Sequence, residues 1–567
     1  MSSTELLVRP APTAPAQKSP AEARPRRRRL PPETYLLAVL ALTGYTVAAL
    51  WLRFELEFSI GDAVARSAEA KYTVLSRDPH AAALGFYWMP LPTMVQVPLV
   101  LLLDPFRLTE LAGPLSTAGF GAGTVLVLGR LAQDLRLPRS MGFLLVLAYA
   151  ANPVVVYTSA NGMGEAALFF CVALTLSGTL GYATAPAPRF LLRAAVGLAG
   201  TVLSRYEAAP LLFVLPPLLA MVDLRRRDLA RARATLVLAA LPAAWGLILW
   251  VLYMRVIGGS FTAFRASSEA TAGTAPGTVE VYQPDYLAGA SGSAGDALGW
   301  TAHWLVAFAP AVLLLPLALL PLRRRSLGTL AILGAGAVLP GAVIVLLIRA
   351  GTTGEPRYFF SFVIIGGVAA LWAAGRLRDW SLPGRRLVLV AATPILVGLL
   401  ALGAWTGSVA LTDVDHTHYN SESRVFERVL GREPTPVDGA SDLPRWREFT
   451  RQLDRTLPRD RQVLADTRYS FSAALLSRRT GQFVMNSDRD YASQVSPTGL
   501  QRFDYVVVPD SGSRQGLAAA FDDGGAIVRQ AAPGTWEPVF EVAGAASLYR
   551  RAVPSGPGGV PQLGPSF

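Results

Sequence analysis

The sequence predicts a mainly α polytopic membrane protein with a small α/β domain at its C-terminal end, on three observations. Of 567 residues, 52% are hydrophobic and only 16% charged, with a mean hydropathy of +0.37; soluble domains carry about 25% charged residues. Apolar stretches near the roughly 20 residues that cross a bilayer core of about 30 Å recur along residues 34–407. Residues 408–567 are polar and alternate helix-like with strand-like text.

Residues 1–33, rich in Pro and Ala and closing on Arg26–Arg29, hold too little apolar content to fold and are expected to be disordered. The apolar stretch after them is longer than a signal-peptide core and lacks a small-residue cleavage site, so it is expected to be a retained first helix. Predicted spans are 34–54, 110–132, 140–158, 165–184, 190–204, 208–222, 231–256, 297–321, 327–348, 357–375 and 386–407, about eleven in all. Cytoplasmic loops carry the excess of Lys and Arg. With these spans the arginine clusters in 130–139, 223–233, 323–325 and 375–386 all share the side of the N-terminus. That agreement requires "MPLPTMVQVPLVLLLDPF" (89–106), with Pro90 and Pro92, to be a surface helix rather than a crossing. The expected product is a multi-pass plasma-membrane protein with a cytoplasmic N-terminus, an outer loop at 55–109, a second outer loop at 257–296, and the tail outside. Within the tail, 408–555 is read as the α/β domain and 556–567 as disordered.

Net charge is +12. In a soluble chain that would raise nucleic-acid binding; here the charge marks cytoplasmic loops, and no nucleic-acid partner is expected. Cys171 is the only cysteine, which excludes an intrachain disulfide and a cysteine metal site.

The polar groups that could do chemistry all fall at outer helix ends. Asp62 follows the first span, Glu165 opens the fourth, Arg205 and Glu207 flank Tyr206 in "SRYEA", and Arg357 and Tyr358 open the tenth. Ionisable groups at membrane depth are costly and mark function unless they reach water. Each by itself reads equally as a headgroup anchor; their convergence on one face does not. His80, Trp88, Arg66 and Lys71 lie in the first outer loop, and Arg265 and Tyr282 in the second, a Gly/Ala/Ser/Thr-rich segment long enough to serve as a lid. Trp88 reads equally as an interfacial anchor; Arg66 and Lys71 could attract phosphate but read rather as solvated loop charges. In the tail, "DVDHTHYN" reads as a solvated linker and "FVMNSDRDY" as a surface turn.

In this order of features the chain resembles the GT-C class of membrane glycosyltransferases, which includes protein O-mannosyltransferases, oligosaccharyltransferase catalytic subunits and aminoarabinose transferases. The likeness rests on "GDA" with Asp62 early in a long outer loop, a surface apolar helix closing that loop, Glu165 in a second outer turn, and the arginines of "SRYEA" and "EPRYFFSFVIIGGVAAL"; it covers about 34–407. The second outer turn lacks a DxD-type pair and the tail lacks a "WWDYG"-like motif. The sequence therefore fits mannosyltransferase-like members, which use no metal, better than oligosaccharyltransferases; no cofactor is expected, and a divalent metal has no support in the sequence.

The resemblance implies transfer of one sugar, with inversion, from a polyprenyl-phosphate carrier in the bilayer to an extracytoplasmic glycan, glycolipid or protein. Asp62 is then the candidate base for the acceptor hydroxyl. Arg205 and Arg357 are candidates for the donor phosphate, since guanidinium groups grip phosphate bidentately, with Tyr358 as a further donor. Glu165 would hold the acceptor or orient an arginine, and Glu207 would fix Arg205 or point away from it. His80 and Trp88 would shape the pocket. Two rivals stand beside this reading. A lipid-linked-sugar flippase would want midplane charges and an internal repeat, which is not seen. A non-catalytic envelope scaffold would tolerate replacement of Asp62 and the arginines.

Overall fold

The computed structural model describes residues 30–86, 88–262, 294–314, 326–350, 356–379, 385–412, 422–433, 443–465, 467–491, 502–509 and 536–552. Each of the eleven predicted spans carries helix: α1 (Pro32–Leu50), α4 (Ala112–Asp134), α5 and α6 (Arg139–Ala150, Pro153–Thr158), α7 (Glu165–Thr184), α8 (Pro188–Ser204), α9 (Leu211–Leu224), α10 (Leu229–Ile257), α11 (Ala294–Phe308), α12 (Ser326–Ala350), α13 (Ser361–Asp379) and α14 (Arg385–Ala410). Among the described residues 7 helices are long and apolar enough to cross a membrane. Helices suit that setting because every interior backbone N–H and C=O is paired within the segment.

Two predicted spans are interrupted, each at a proline. The stretch 140–158 divides where Pro153 ends α5, and Asn152 restarts the helix by accepting the Val154 N–H at 2.9 Å. The stretch 297–321 leaves α-helix after Phe308 for a 3-10 turn at Pro310–Leu314. The predicted surface helix is α3 (Pro90–Leu103), whose 14 residues span about 21 Å and fall short of a bilayer core.

Helix α2 (Gly61–Leu75) lies in the loop between α1 and α3 and is packed on two sides. Ala63 belongs to the core of the bundle, and Ala70 packs with Val100 of α3 and Ala112 of α4. Val64, Ala68 and Tyr72 belong instead to the core of the C-terminal unit, with Phe449, Leu453 and Val463. Lys71 is 2% exposed; its Nζ donates to the carbonyls of Leu475 at 2.7 Å and Ser477 at 2.9 Å and pairs with Asp104 at 3.5 Å. It is therefore no solvated loop charge. It bolts α2 to the C-terminal unit, and burial lowers its pKa from the ordinary lysine value against the pull of Asp104.

That unit comprises α16 (Leu443–Thr456), α17 (Thr467–Leu476) and a five-stranded mixed sheet, whereas α15 (Ser423–Val429) packs into the core of the bundle through Val425 and Phe426. Its strands are β1 (Val463–Ala465), β2 (Phe483–Met485), β3 (Tyr505–Pro509), β4 (Trp536–Val542) and β5 (Ala546–Arg551), in the order β2-β1-β3-β5-β4. β1 runs parallel to β2 and β3, with Leu464 opposite Val484 and Val506, while β5 is antiparallel to β3 and β4. The helix-like and strand-like runs of the sequence fall on α16, β1, β3 and the β4–β5 hairpin. β2 corrects one expectation: "FVM" was read as part of a surface turn, because three consecutive buried residues show no alternation. The turn after β2 grips the loop between α1 and α3, for Arg77 pairs with Asp488 and Asp490, and Arg489 pairs with Asp78.

A candidate active site at one end of the helix bundle

Four chain segments deliver the site, all at the end of the bundle where α1 leaves and α7 and α13 begin. Helix α2 starts after an extended Ile60 and brings Asp62, Arg66 and Glu69, at i, i+4 and i+7, onto one stripe. Glu165 is the first residue of α7. The chain turns extended at Arg205, directly after α8, and enters a 3-10 turn carrying Tyr206 and Glu207. A second 3-10 turn, Pro356–Phe359, presents Arg357 and Tyr358 ahead of α13.

These side chains meet. Arg357 Nη1 lies 3.0 Å from Asp62 Oδ2. Arg205 pairs through Nη1 with Glu165 at 2.5 Å and through Nε with Glu207, and the Arg205, Glu165 and Glu207 side chains are 12%, 3% and 10% exposed. Tyr358 joins the two pairs, its ring centroid 5.4 Å from the Arg205 guanidinium carbon and 5.8 Å from that of Arg357. Burial works against the charge on Arg205, but Glu207 and Glu165 overcome it and raise its pKa above the ordinary arginine value. Glu207 thus faces Arg205, and Glu165 does orient an arginine.

Arg66 sits beside this group, 3% exposed. Its guanidinium carbon lies 4.6 Å from the centre of the Trp88 ring, and the charges of Glu69, Asp62, Glu165 and Arg205 all act on it. Its Nε and Nη1 are buried without a hydrogen-bond partner. The expectation of a solvated charge fails here because the turn entering α7 lies against it: a Cβ at Gly164 would stand 3.6 Å from Arg66 Nη2. Unlike Arg205, which two carboxylates occupy, Arg66 holds unfilled donors in a buried place, and such donors ordinarily find an acceptor. Trp88 is half-buried against it.

The structure does not bring Lys71 or His80 to the cluster by any contact. Lys71 faces the C-terminal unit, and His80 Nδ1 lies 2.6 Å from the Asp78 carbonyl in the turn after α2. Arg265, Tyr282 and "DVDHTHYN" lie outside the described residues, as does most of the 257–296 loop. Glu69 was missed by sequence reasoning, although its helical spacing from Asp62 and Arg66 was there to be read. A wall of aromatics completes this end: Tyr206 Oη donates to the Phe86 carbonyl at 2.9 Å and receives Trp250 Nε1 at 3.3 Å, and Phe86 packs 5.3 Å from Tyr253.

A cleft of about 570 Å³ lies at the opposite end of the bundle, lined by Pro31, Glu33, Arg136 and Arg139 among others. Its Glu33–Arg139 pair is 4.0 Å long with Arg139 84% exposed, a solvated contact of small energy. The buried, charge-dense end is the chemically equipped one.

No family model and no curated protein matches the chain. Solved structures do, two of them as follows. The crystal structure of ArnT from Cupriavidus metallidurans bound to undecaprenyl phosphate aligns with a TM-score of 0.53 at 14% identity, over 91% of this chain and 97% of that one. The same protein in the apo state aligns with a TM-score of 0.50 at 12% identity, over the same shares. At such identity the likeness speaks for architecture: the bundle, the helices of the 55–109 loop and the C-terminal sheet together have the fold of ArnT.

Proposed function

We propose that the chain is a plasma-membrane glycosyltransferase that moves one sugar, with inversion, from a polyprenyl-phosphate donor to an extracytoplasmic acceptor. One observation carries the reading. The Asp62 carboxylate, itself 33% exposed, and the guanidinium groups of Arg66, Arg205 and Arg357 form one cluster at a single end of the bundle, in a fold shared with a protein crystallised with undecaprenyl phosphate. The arginines of 130–139, 225–227 and 376–378 lie at the other end, which under the positive-inside rule supports an outer position for the cluster.

Arg66, with open donors, grips the donor phosphate first, and Arg357 turns from Asp62 toward it. This exchange frees a carboxylate oxygen. The acceptor oxygen then attacks the anomeric carbon as its proton passes to Asp62; the bond from that carbon to the phosphate oxygen breaks, and its electron pair leaves with the phosphate. Negative charge growing on that phosphate is met by fixed guanidinium groups, the kind of contribution that dominates such rates. Arg205, held by Glu165 and Glu207, supplies a rigid edge, and Tyr358 keeps the two arginines in register. The arginines take the role a metal would play, so chelation should leave transfer unchanged.

The experiment is transfer from a panel of labelled polyprenyl-phosphate sugars by membranes containing wild-type protein or Asp62→Asn. Transfer should fall by about 10²–10⁴-fold in the variant. Unchanged transfer removes Asp62 as base. No transfer from any donor, alongside lipid translocation, identifies a flippase, and neither activity leaves an envelope scaffold.

A further inference from the structure

Glu69 has no part in the steps above. Its Oε1 lies against the backbone of Gly85, where φ is +71 and an added Cβ would stand 2.9 Å away. Its Oε2 is buried with no hydrogen-bond partner among the described residues. The groups acting on it are Arg66 and Asp62 from its own helix; its charge in turn acts on Tyr72, one turn on, and on Tyr253 of α10. Beyond Arg66 stand Glu165 and Arg205.

Charge balance in this cluster is already complete without it. Asp62, Glu165 and Glu207 oppose Arg66, Arg205 and Arg357, three against three. An ionised Glu69 would be a fourth carboxylate against three guanidinium groups, leaving the cluster one negative charge in excess, and uncompensated buried charge is strongly disfavoured. Burial raises its pKa well above the ordinary glutamate value; Arg66 opposes the rise and Asp62 adds to it. A carboxyl group kept neutral carries an O–H, and that donor also lacks an acceptor. One turn away, the Nε–H and Nη1–H of Arg66 lack theirs.

Resting on the transferase reading, we propose that Glu69 stands as a neutral acid in the resting protein and that its O–H joins the two open Arg66 donors in holding the phosphate oxygens of the lipid-linked donor. Phosphate binding then requires the Glu69 proton. Loss of that proton places a carboxylate beside the incoming anion and consumes Arg66 in an ion pair.

The test measures binding rather than transfer, on the full chain in nanodiscs. The probe is the methyl ester of undecaprenyl phosphate, a diester whose single charge does not titrate between about pH 5 and about pH 9. Wild type should lose affinity as pH rises across that range. Glu69→Gln, which keeps a neutral donor, should bind near the low-pH wild-type affinity with the pH dependence gone. Glu69→Ala should bind about tenfold more weakly at low pH, the worth of one hydrogen bond to a charged group. Dimethyl phosphate, the same head without the isoprenoid, should compete only at far higher concentration; equal competition would mark a free-anion site and overturn the lipid assignment. A flat wild-type profile, or a Gln variant that keeps the slope, overturns the role of Glu69. Transfer activity with a flat binding profile sinks this inference alone, whereas pH-gated binding without any transfer sinks the enzymatic reading alone.

Discussion

Lys71→Met tests whether the C-terminal unit holds α2, and with it Asp62 and Arg66, in place. Methionine keeps most of the apolar stem and removes only the ammonium. In wild type that ammonium serves the Leu475 and Ser477 carbonyls and faces Asp104, whose side chain is 41% exposed. Asp104 returns to water at little cost. The Leu475 carbonyl keeps a second donor, Thr109 Oγ1 at 3.1 Å. The Ser477 carbonyl keeps only the long contact from Thr480 Oγ1 at 3.5 Å. One charge-assisted hydrogen bond lost and one carbonyl left with a single long partner together cost about 2–4 kcal/mol. Since about 1.4 kcal/mol is tenfold in an equilibrium constant, opening of the α2–α17 contact should become about 30- to 1,000-fold more frequent. Hydrogen–deuterium exchange of the purified full chain reads this directly, as faster exchange confined to α2 and residues 467–477. Unchanged exchange in both segments would refute the bolt, and uniform acceleration across the bundle would mean that Lys71 supports folding at large.

Arg205→Met strands two buried carboxylates, so it should lower stability by about 3–5 kcal/mol in thermal melts, and adding Glu165→Gln and Glu207→Gln should recover much of that loss. Arg66→Lys keeps the charge but loses the planar fork over Trp88; the diester probe should bind at least about tenfold more weakly while the melting temperature holds. Gly85→Ala forces a Cβ onto Glu69 Oε1 at a left-handed φ, so it should cost about 1–2 kcal/mol and weaken the pH dependence of probe binding. Glu69 also links stability to pH. Because its pKa is raised in the fold, its contribution is full below the ordinary glutamate value of about 4.3 and is lost as pH climbs toward the raised one. Melting temperatures of wild type should decline through that window, and those of Glu69→Gln should decline less.

Local physics made much of this protein legible in its sequence. A helix in lipid needs only length and apolar content, because its backbone bonds close within the segment; so 165–184 could be read to the residue and 89–106 recognised as a helix apart from the spans. Helix-end placement likewise put Asp62, Glu165, Arg205 and Arg357 on one side, since the parity of crossings decides it. Which charges neutralise one another was not local. Glu165 meets Arg205 across 40 residues, and Lys71 meets Ser477 across 406. Burial of a loop charge depends on what another segment lays over it, and nothing in "VARSAEAKY" announces that the turn entering α7 will lie against Arg66 or that a sheet unit will cover Lys71. β2 was equally hidden, because a three-residue strand buried on both faces has no period to read. Composition and periodicity determined the bundle and the end that carries the chemistry; only the tertiary packing decided that Arg205 is already satisfied, that Arg66 is not, and that Glu69 adds a fourth carboxylate to three guanidinium groups, because the energy of a buried charge is set by its neighbours in space.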